Sequence, residues 1–419
     1  MHPPPGTRLH CSHKGGNQAL LSSWSHDAPT RSGVSGVGVT SRGAERWVRG
    51  HPWIFRSEVQ AGPEEAGLVE VQDPRGRFIG QALYSPRSEI RLRLLEPTGR
   101  RVDQVWWVER IAACAARRQG IEATAYRVVH GEGDGIPSLV VDRYDKWVVV
   151  QILSAGLETM RDTIVRALTE VLEPEGILLR NDAPIRRREG LSAEIVEAHG
   201  SVPREVVVRE GEIRYAAAPW DGQKTGAFLD QRPNRMLAGA LMPRGGRALD
   251  CFAYHGSFSV HLAQQANSVT ALDVSADALA RGAANAALNG LNNIEWSEAD
   301  AFERLRMLER SRERFDFIVL DPPAFAKSRA TVGAALRGYR EINLRAMRIL
   351  SPGGTLLTAS CSFHVQLPQF LGMLIEAAAD SGRRITLERV LGQGEDHPVV
   401  LTIPETGYLK GALLRAAGG

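Results

Sequence analysis

The stretch "RALDCFAYHGSFSVHLAQQANSVTALDV", residues 247–274, decides the fold. It opens on an apolar, β-forming run that reaches Asp250, then makes a tight turn at Gly256. A helix is expected from about 256 to 266, and a second apolar run, "SVTALDV", follows and reaches Asp273. Strands joined by crossover helices must lie parallel.

The alternation continues to the end of the chain. An Ala-rich helix is expected over 276–289, then strand "NIEWSEAD" with a helix over 301–311. Strand "FDFIVLD" leads to a helix over 332–350, and "GTLLTASCS" to one over 368–380. "ITLERVL" follows, and "GYLKGALLRAA" closes the chain. This is the pattern of a doubly wound, Rossmann-like α/β sheet, whose ligands sit at the carboxyl ends of its strands. The residues expected there are Asp250, Asp273, Asp300, Asp321 and Cys361.

A single aspartate at such a place is ordinarily a helix N-cap. Four around one crevice repel one another unless a cationic or hydroxyl-rich ligand lies between them. The first turn is not G-x-G-x-x-G, so a phosphate cradle and a nicotinamide dinucleotide are poorly supported. Asp273 can accept both ribose hydroxyls of a nucleoside, and Asp300 can accept from an adenine amino group. An adenosine without phosphates that carries a cation matches S-adenosylmethionine better than NAD or ATP.

In "DPPAF", residues 321–325, two prolines lock the backbone and offer no N–H, so Asp321 and the Pro322 carbonyl should face the crevice. Such a motif marks enzymes that methylate planar nitrogen bases. Cys361 stands at the next strand end, between Ser360 and Ser362, where a core would hold aliphatic residues. Carbon 5 of cytosine is a poor nucleophile until a thiolate adds at carbon 6, so a cysteine beside D-P-P points to covalent catalysis. Asp321 would then hydrogen-bond the N3 edge of a base that has left its stack. The competing reading of Cys361 is a buried inert thiol. Cys251 lies within a strand and reads as packing.

Upstream, residues 39–100 show short strands broken by D-P-R-G and S-P-R turns, a small all-β unit. Its "RWVRGHPWIF" run interleaves arginines with aromatics, as an RNA-binding barrel does and as a basic face over an aromatic core also does. Arg46, Arg49 and Arg56 are the candidate RNA contacts. Residues 101–215 mix strands with helices in an α+β domain, in which Trp106, Trp107, Ile111 and Cys114 read as packing. The Gly-, Ser-, Pro- and His-rich residues 1–38 read as a disordered tail.

The bulk properties agree. A chain of 419 residues needs two or three domains. Its net charge of +3 permits a nucleic-acid partner without proving one. Four cysteines with no C-x-x-C pair argue against a disulfide framework and a zinc site and fit a reducing cytoplasm. No run approaches the length that spans a bilayer, so no membrane partner is expected.

The combination "RWVRGHPWIF", "HGEGDGIPSLVVDRY", "GQKTGAFLDQRPNR", "DCFAYHGSF", "DPPAFAKS", "SCSFH", "EDHPV" and "GYLKG" resembles the bacterial 23S ribosomal RNA (cytosine-5)-methyltransferases of the large-subunit methyltransferase I family. The resemblance covers nearly everything but the tail. It implies a PUA-like domain over 39–100, a central domain over 101–215 and a class I methyltransferase domain over 216–419. It implies that Lys224, Thr225 and Gln231 line the cofactor site, completed by Asp273, Asp300, Asp321 and the turn around Tyr254 and Gly256. It also implies that Cys361 is the nucleophile and 23S rRNA the partner, and it allows a homodimer. Related two-cysteine enzymes place a second cysteine after the first proline of the fourth-strand motif. Here that position is Pro323, which leaves the proton-abstracting base unassigned. Two other readings stay open: methylation of another rRNA base such as guanine, and a non-catalytic RNA-binding assembly factor.

Overall fold

A computed structural model describes residues 36–326 and 328–418. Most of the tail expected over 1–38 lies outside them. Residues 36–38, placed in that tail by their composition, instead form strand β1 (Gly36–Gly38), which pairs in parallel with β3.

The N-terminal unit is a five-stranded sheet in the order β1-β3-β4-β5-β2, with β2 (Trp53–Phe55), β3 (Gly67–Gln72), β4 (Phe78–Tyr84) and β5 (Ile90–Glu96). Helix α1 (Ser41–Val48) starts at Thr40, whose side chain accepts from Gly43 N. Val37, Ile54, Val71 and Leu92 form its core together with Trp47, so this tryptophan of the "RWVRGHPWIF" run packs inward.

The central unit begins with α2 (Gln104–Ala116), capped by Asp103. Trp106, Trp107, Ile111 and Cys114 are buried on it, as their spacing predicts. Strands β6 (Ala125–His130), β7 (Leu139–Tyr144), β8 (Trp147–Ile152), β9 (Gly176–Asn181) and β10 (Glu194–Gly200) form a sheet in the order β10-β9-β8-β7-β6. The pair β8–β9 is parallel, because α3 (Ala155–Glu158) and α4 (Arg161–Leu172) carry the chain across. A short α5 (Ile185–Glu189) precedes β10. A separate hairpin, β11 (Val206–Glu210) with β12 (Ile213–Ala217), follows, and the boundary expected at 216 cuts its second strand.

After α6 (Arg232–Leu241) comes a seven-stranded sheet. Its elements are β13 (Arg247–Cys251), α7 (Ser257–Ala263), β14 (Ser268–Asp273), α8 (Ala276–Leu288), β15 (Ile294–Glu298), α9 (Ala301–Arg310), β16 (Phe315–Leu320), α10 (Val332–Ile349), β17 (Leu350–Ser360), α11 (Leu367–Ser381), β18 (Ile385–Leu391) and β19 (Lys410–Ala416). The strand order is β15-β14-β13-β16-β17-β19-β18. Alternation along β16 shows both faces covered: Ile318 and Leu320 pack with α9, α10 and α11, while Phe317 and Val319 pack with α6 and α7. The topology reverses between β13 and β16, so a crevice opens where α7 and the "DPPAF" loop part company.

The sheet is not parallel throughout. β19 runs antiparallel to both β17 and β18. The crossover through α11 sets β18 one place beyond β17, and the chain, with no crossover α-helix between β18 and β19, returns antiparallel into the gap. That insertion brings the "GYLKG" segment alongside Cys361.

The three units share polar contacts. Gly50 O accepts from Thr402 Oγ1 at 2.9 Å, and Trp53 Nε1 donates to Glu132 at 2.9 Å. The "EDHPV" segment lies against the central sheet, where Asp396 accepts from Arg127 N at 2.9 Å and its carbonyl accepts from Arg118 at 2.8 Å. Among the described residues no helix is long and apolar enough to cross a membrane.

Candidate active site at the strand ends

The turn after β13 is strained by design of its sequence. Phe252, Tyr254 and Gly256 all have positive φ, at 66°, 50° and 68°. Gly256 has a second constraint. A Cβ on it would stand 2.3 Å from the Trp296 ring, and a Cβ on Gly282 of α8 would stand 2.4 Å from the same ring. The indole is therefore slotted between two glycines, and this fixes the turn against β15.

The turn presents its backbone to Asp273. Tyr254 N donates to Asp273 Oδ2 at 2.9 Å, and Ser275 N donates to Oδ1 at 3.0 Å. The carboxylate remains part-exposed, with lone pairs free for a ligand hydroxyl. The Tyr254 ring stacks on His255 at 3.6 Å and meets Phe228 edge-on at 5.3 Å. Asp300 follows β15, beside Asp273 at the end of β14. It is exposed and caps α9 by accepting from Glu303 N at 3.0 Å, the ordinary role of such a residue.

The loop before α6 supplies the second wall. Gln231 is buried and donates from Nε2 to Asp321 Oδ1 at 2.8 Å, while its Oε1 accepts from Asn234 at 2.6 Å. Lys224 sits at φ 55° and donates to Asp230 at 2.7 Å, with its ammonium 4.7 Å from the centre of the Phe228 ring. Burial opposes ionisation of Asp230, but the charges of Lys224 and His397 override it and hold the carboxyl well below its usual range. Tyr408 OH donates to the same Asp230 oxygen at 2.6 Å. Thr225 does not face the crevice. It is fully buried and joined to Asp142 and Tyr144 of β7, so it anchors this loop to the central sheet.

Asp321 and Cys361 meet where β16 and β17 end side by side. The strands are in parallel register through Leu320 and Thr358. Cys361 Sγ lies 3.9 Å from the Pro322 carbonyl oxygen and is part-buried, turned to the crevice and not into the core. The flanking serines are fully buried hydrogen-bonding posts. Ser362 Oγ accepts from Ala326 N at 3.1 Å and meets Tyr339 OH of α10 at 2.9 Å, which ties the loop after the prolines to the cysteine. Ser360 Oγ accepts from Ser362 N at 3.3 Å, closing the turn. Burial pushes the Cys361 thiol up, Asp321 adds to it, and Lys224 opposes both.

The carboxyls at the switch point share a deficit of positive charge. Burial pushes Asp250 up to about 7, with Asp321 adding and a hydrogen bond from Ser259 opposing. Burial and the Asp230 charge push Asp321 up to about 6. Asp250 Oδ1 and Asp230 Oδ1 are buried with no hydrogen-bond partner. A ligand with hydroxyls for Asp273 and a cationic centre among these acids is what the donor set lacks, and S-adenosylmethionine has both.

The structure thus brings together Cys361, Asp321, Gln231, Lys224, Asp273, Tyr254 and Gly256, leaves Thr225 aside, and sets Asp300 at the end of the strand beside Asp273. Sequence reasoning passed over Asp230, Tyr408 and Lys410. The "GYLKG" and "EDHPV" motifs were visible, but nothing local said that they return to the β17 end.

The expected RNA contacts sit apart on the N-terminal unit. Arg46 is held by Glu58 at 2.8 Å and lies over Phe55, so its charge is committed locally. Arg49 is exposed beside Glu45 at 2.5 Å, and Arg56 is exposed with Glu89 at 3.9 Å.

Comparison with known proteins places this geometry. Residues 37–97 match the PUA-like domain family, and residues 184–413 match the S-adenosylmethionine-dependent methyltransferase family. The chain is 38% identical over 379 residues to the ribosomal RNA large subunit methyltransferase I of Shewanella amazonensis, covering 88% of this chain and 96% of that protein. The Aeromonas hydrophila protein of the same name is 39% identical over 385 residues, with the same coverage. Among solved structures, SMU.776, a methyltransferase complexed with SAH, superposes with a TM-score of 0.79 over 91% of this chain and all of that one, at 22% identity. A SAM-dependent methyltransferase from Streptococcus mutans gives 0.77 with the same coverage, at 21% identity. These two likenesses speak for the fold.

Proposed function

The chain belongs to the ribosomal RNA large subunit methyltransferase I family, and from that premise we propose that it methylates carbon 5 of a cytosine in 23S rRNA through a covalent adduct on Cys361. It is an S-adenosylmethionine-dependent methyltransferase of large-subunit rRNA; the target atom and the nucleophile are our reading. One observation carries it. Cys361 Sγ stands 3.9 Å from the Pro322 carbonyl at the mouth of the crevice, on the strand next to Asp321.

Asp273 and the Tyr254–Gly256 turn would hold S-adenosylmethionine, which would supply an electrophilic methyl group. The protein's own groups do the rest. The Cys361 thiolate adds to carbon 6 of the flipped base, which makes carbon 5 electron-rich; once carbon 5 carries the methyl group, its proton goes to a base or water, the carbon 6–sulfur bond breaks and the electron pair returns to Cys361. Asp321 lies within reach of the same base, and Gln231 fixes its carboxyl. A carboxyl near 6 is partly protonated at neutral pH, so it can donate to N3 as sulfur adds. Gln231 and Asn234 orient that carboxyl, and the Ser362–Tyr339 pair fixes the loop facing it. The four scattered cysteines fit work in a reducing cytoplasm, where large-subunit rRNA is found.

The test is Cys361→Ala in the full chain, with cofactor binding followed by calorimetry and methylation mapped on 23S rRNA fragments. Turnover should vanish, with cofactor affinity unchanged. RNA carrying 5-fluorocytosine should form a denaturation-resistant complex with wild type and none with the variant. Methylation retained by the variant would remove the thiol mechanism, and guanine would replace cytosine as the reading.

A further inference from the structure

A thiol in this crevice has an unfavourable surrounding. Burial and Asp321 both resist formation of the thiolate, and Asp230 adds to them. Lys224 favours it, but Lys224 is already matched by Asp230 at 2.7 Å. Tyr339, reaching in from α10, is bound to Ser362. A nucleophile here needs another cation.

Lys410 is placed to be that cation. It opens β19, and its Cα pairs with Ser360, the residue before Cys361. Its side chain is buried. Nζ donates to the Ser362 carbonyl at 2.7 Å and to the Tyr408 carbonyl at 2.7 Å. The ammonium is therefore held one peptide from the cysteine by two neutral acceptors, with its third hydrogen left over among the described residues. A buried ammonium without an anion is costly, and the cost shows. Burial pushes Lys410 down to about 8, and the neighbouring charge that acts the other way is Cys361 itself.

We propose that Lys410 is a positioning residue whose ammonium is the counter-ion of the Cys361 thiolate. The Sγ–H bond breaks, its proton goes to water, and the electron pair stays on sulfur beside a charge already in place. This rests on Cys361 being the nucleophile, yet it can be tested without substrate.

Alkylation of Cys361 by iodoacetamide would be followed by mass spectrometry on its own peptide, from pH 6 to 10, in the full chain. Lys410→Met should move the midpoint up by about one pH unit or more, an alkylation rate about tenfold lower at neutral pH. Lys410→Arg should restore most of it. An unchanged midpoint in a folded Lys410→Met protein overturns the proposal. Folding is read in the same digest, because Cys114 and Cys251 are buried and stay unreactive only while the cores are closed. If they react, the reciprocal variant decides. Cys361→Ser removes the charge that favours the ammonium, so cyanate should carbamylate Lys410 severalfold faster at pH 8, and no change again overturns the pairing. Failure of the two readings is distinguishable. An active Cys361→Ala with a shifted midpoint sinks the nucleophile and keeps the ion pair, whereas an inactive Cys361→Ala with an unshifted midpoint does the reverse.

Discussion

The slot that holds Trp296 offers a prediction in which two physical costs separate. Gly256→Ala and Gly282→Ala both drive a methyl group into the same indole, at 2.3 Å and 2.4 Å before relaxation. Overpacking of this kind costs about 1–3 kcal/mol. Gly282 is inside α8 with ordinary helical φ, so alanine there regains about 1 kcal/mol of helix propensity. Gly256 has φ 68°, where a Cβ adds about 1–2 kcal/mol of backbone strain. The expected losses are therefore about 2–5 kcal/mol at Gly256 and about 0–2 kcal/mol at Gly282, a gap of about 2–3 kcal/mol. A chain of several domains has no single unfolding free energy, so the assay is hydrogen exchange of amides in β13, β14 and β15, which reads local opening. Shrinking the indole with Trp296→Leu should recover the overpacking share in either background and leave the φ share at Gly256. Gly256→Ala should also weaken S-adenosylmethionine binding, because the same turn holds Tyr254 N on Asp273. Equal losses at the two glycines, or strict additivity with Trp296→Leu, would refute the argument.

Three further outcomes follow from charge. The Asp250 carboxyl, near 7 in the folded chain against an ordinary 3.8, keeps its proton after the unfolded chain has released it. The contribution of Asp250 to stability should therefore be fully present below about pH 4, decline as pH rises towards 7, and level off beyond. The decline amounts to at most about 4 kcal/mol. Asp250→Asn should flatten its share, as hydrogen-exchange protection of β13 amides from pH 4.5 to 8, corrected for intrinsic exchange, would record, and an unaltered profile would contradict the assignment. On the N-terminal unit, reversing Arg49 and Arg56 to Glu should weaken rRNA binding most at low salt and reduce the salt slope by about 2. Arg46→Glu should instead destabilise the unit, because it sets a second carboxylate against buried Glu58. Binding curves identical across salt would remove this face as the RNA contact.

Much of the molecule is written in local pattern. The continuous apolar runs and the helical segments between them specify a doubly wound sheet, because each strand's burial on both faces and each helix's single apolar face admit few arrangements. The acids and the cysteine at strand ends are equally visible, since a strand's last residue is a property of the run itself. Pro322 and Pro323 announce their own rigidity. What these signals cannot carry is partnership across the chain. Asp300 and Asp273 look alike in sequence, yet one caps its own helix and the other faces a strained turn. Thr225 and Lys224 are neighbours, but one points into the central sheet and the other over the crevice. Arg46 reads as a free charge until Glu58 folds against it.

By itself, then, the order of residues determined the class of the catalytic sheet and the chemistry offered at its edge, because hydrophobic periodicity and turn residues act over a few positions. Only the folded chain decided which of those groups share one crevice. β19 enters antiparallel between β17 and β18 and brings Lys410 alongside Cys361 across some fifty residues of sequence. Such a placement is fixed by strand pairing and by the hydrogen bond from Lys410 to the Ser362 carbonyl, and neither leaves a mark in the local pattern.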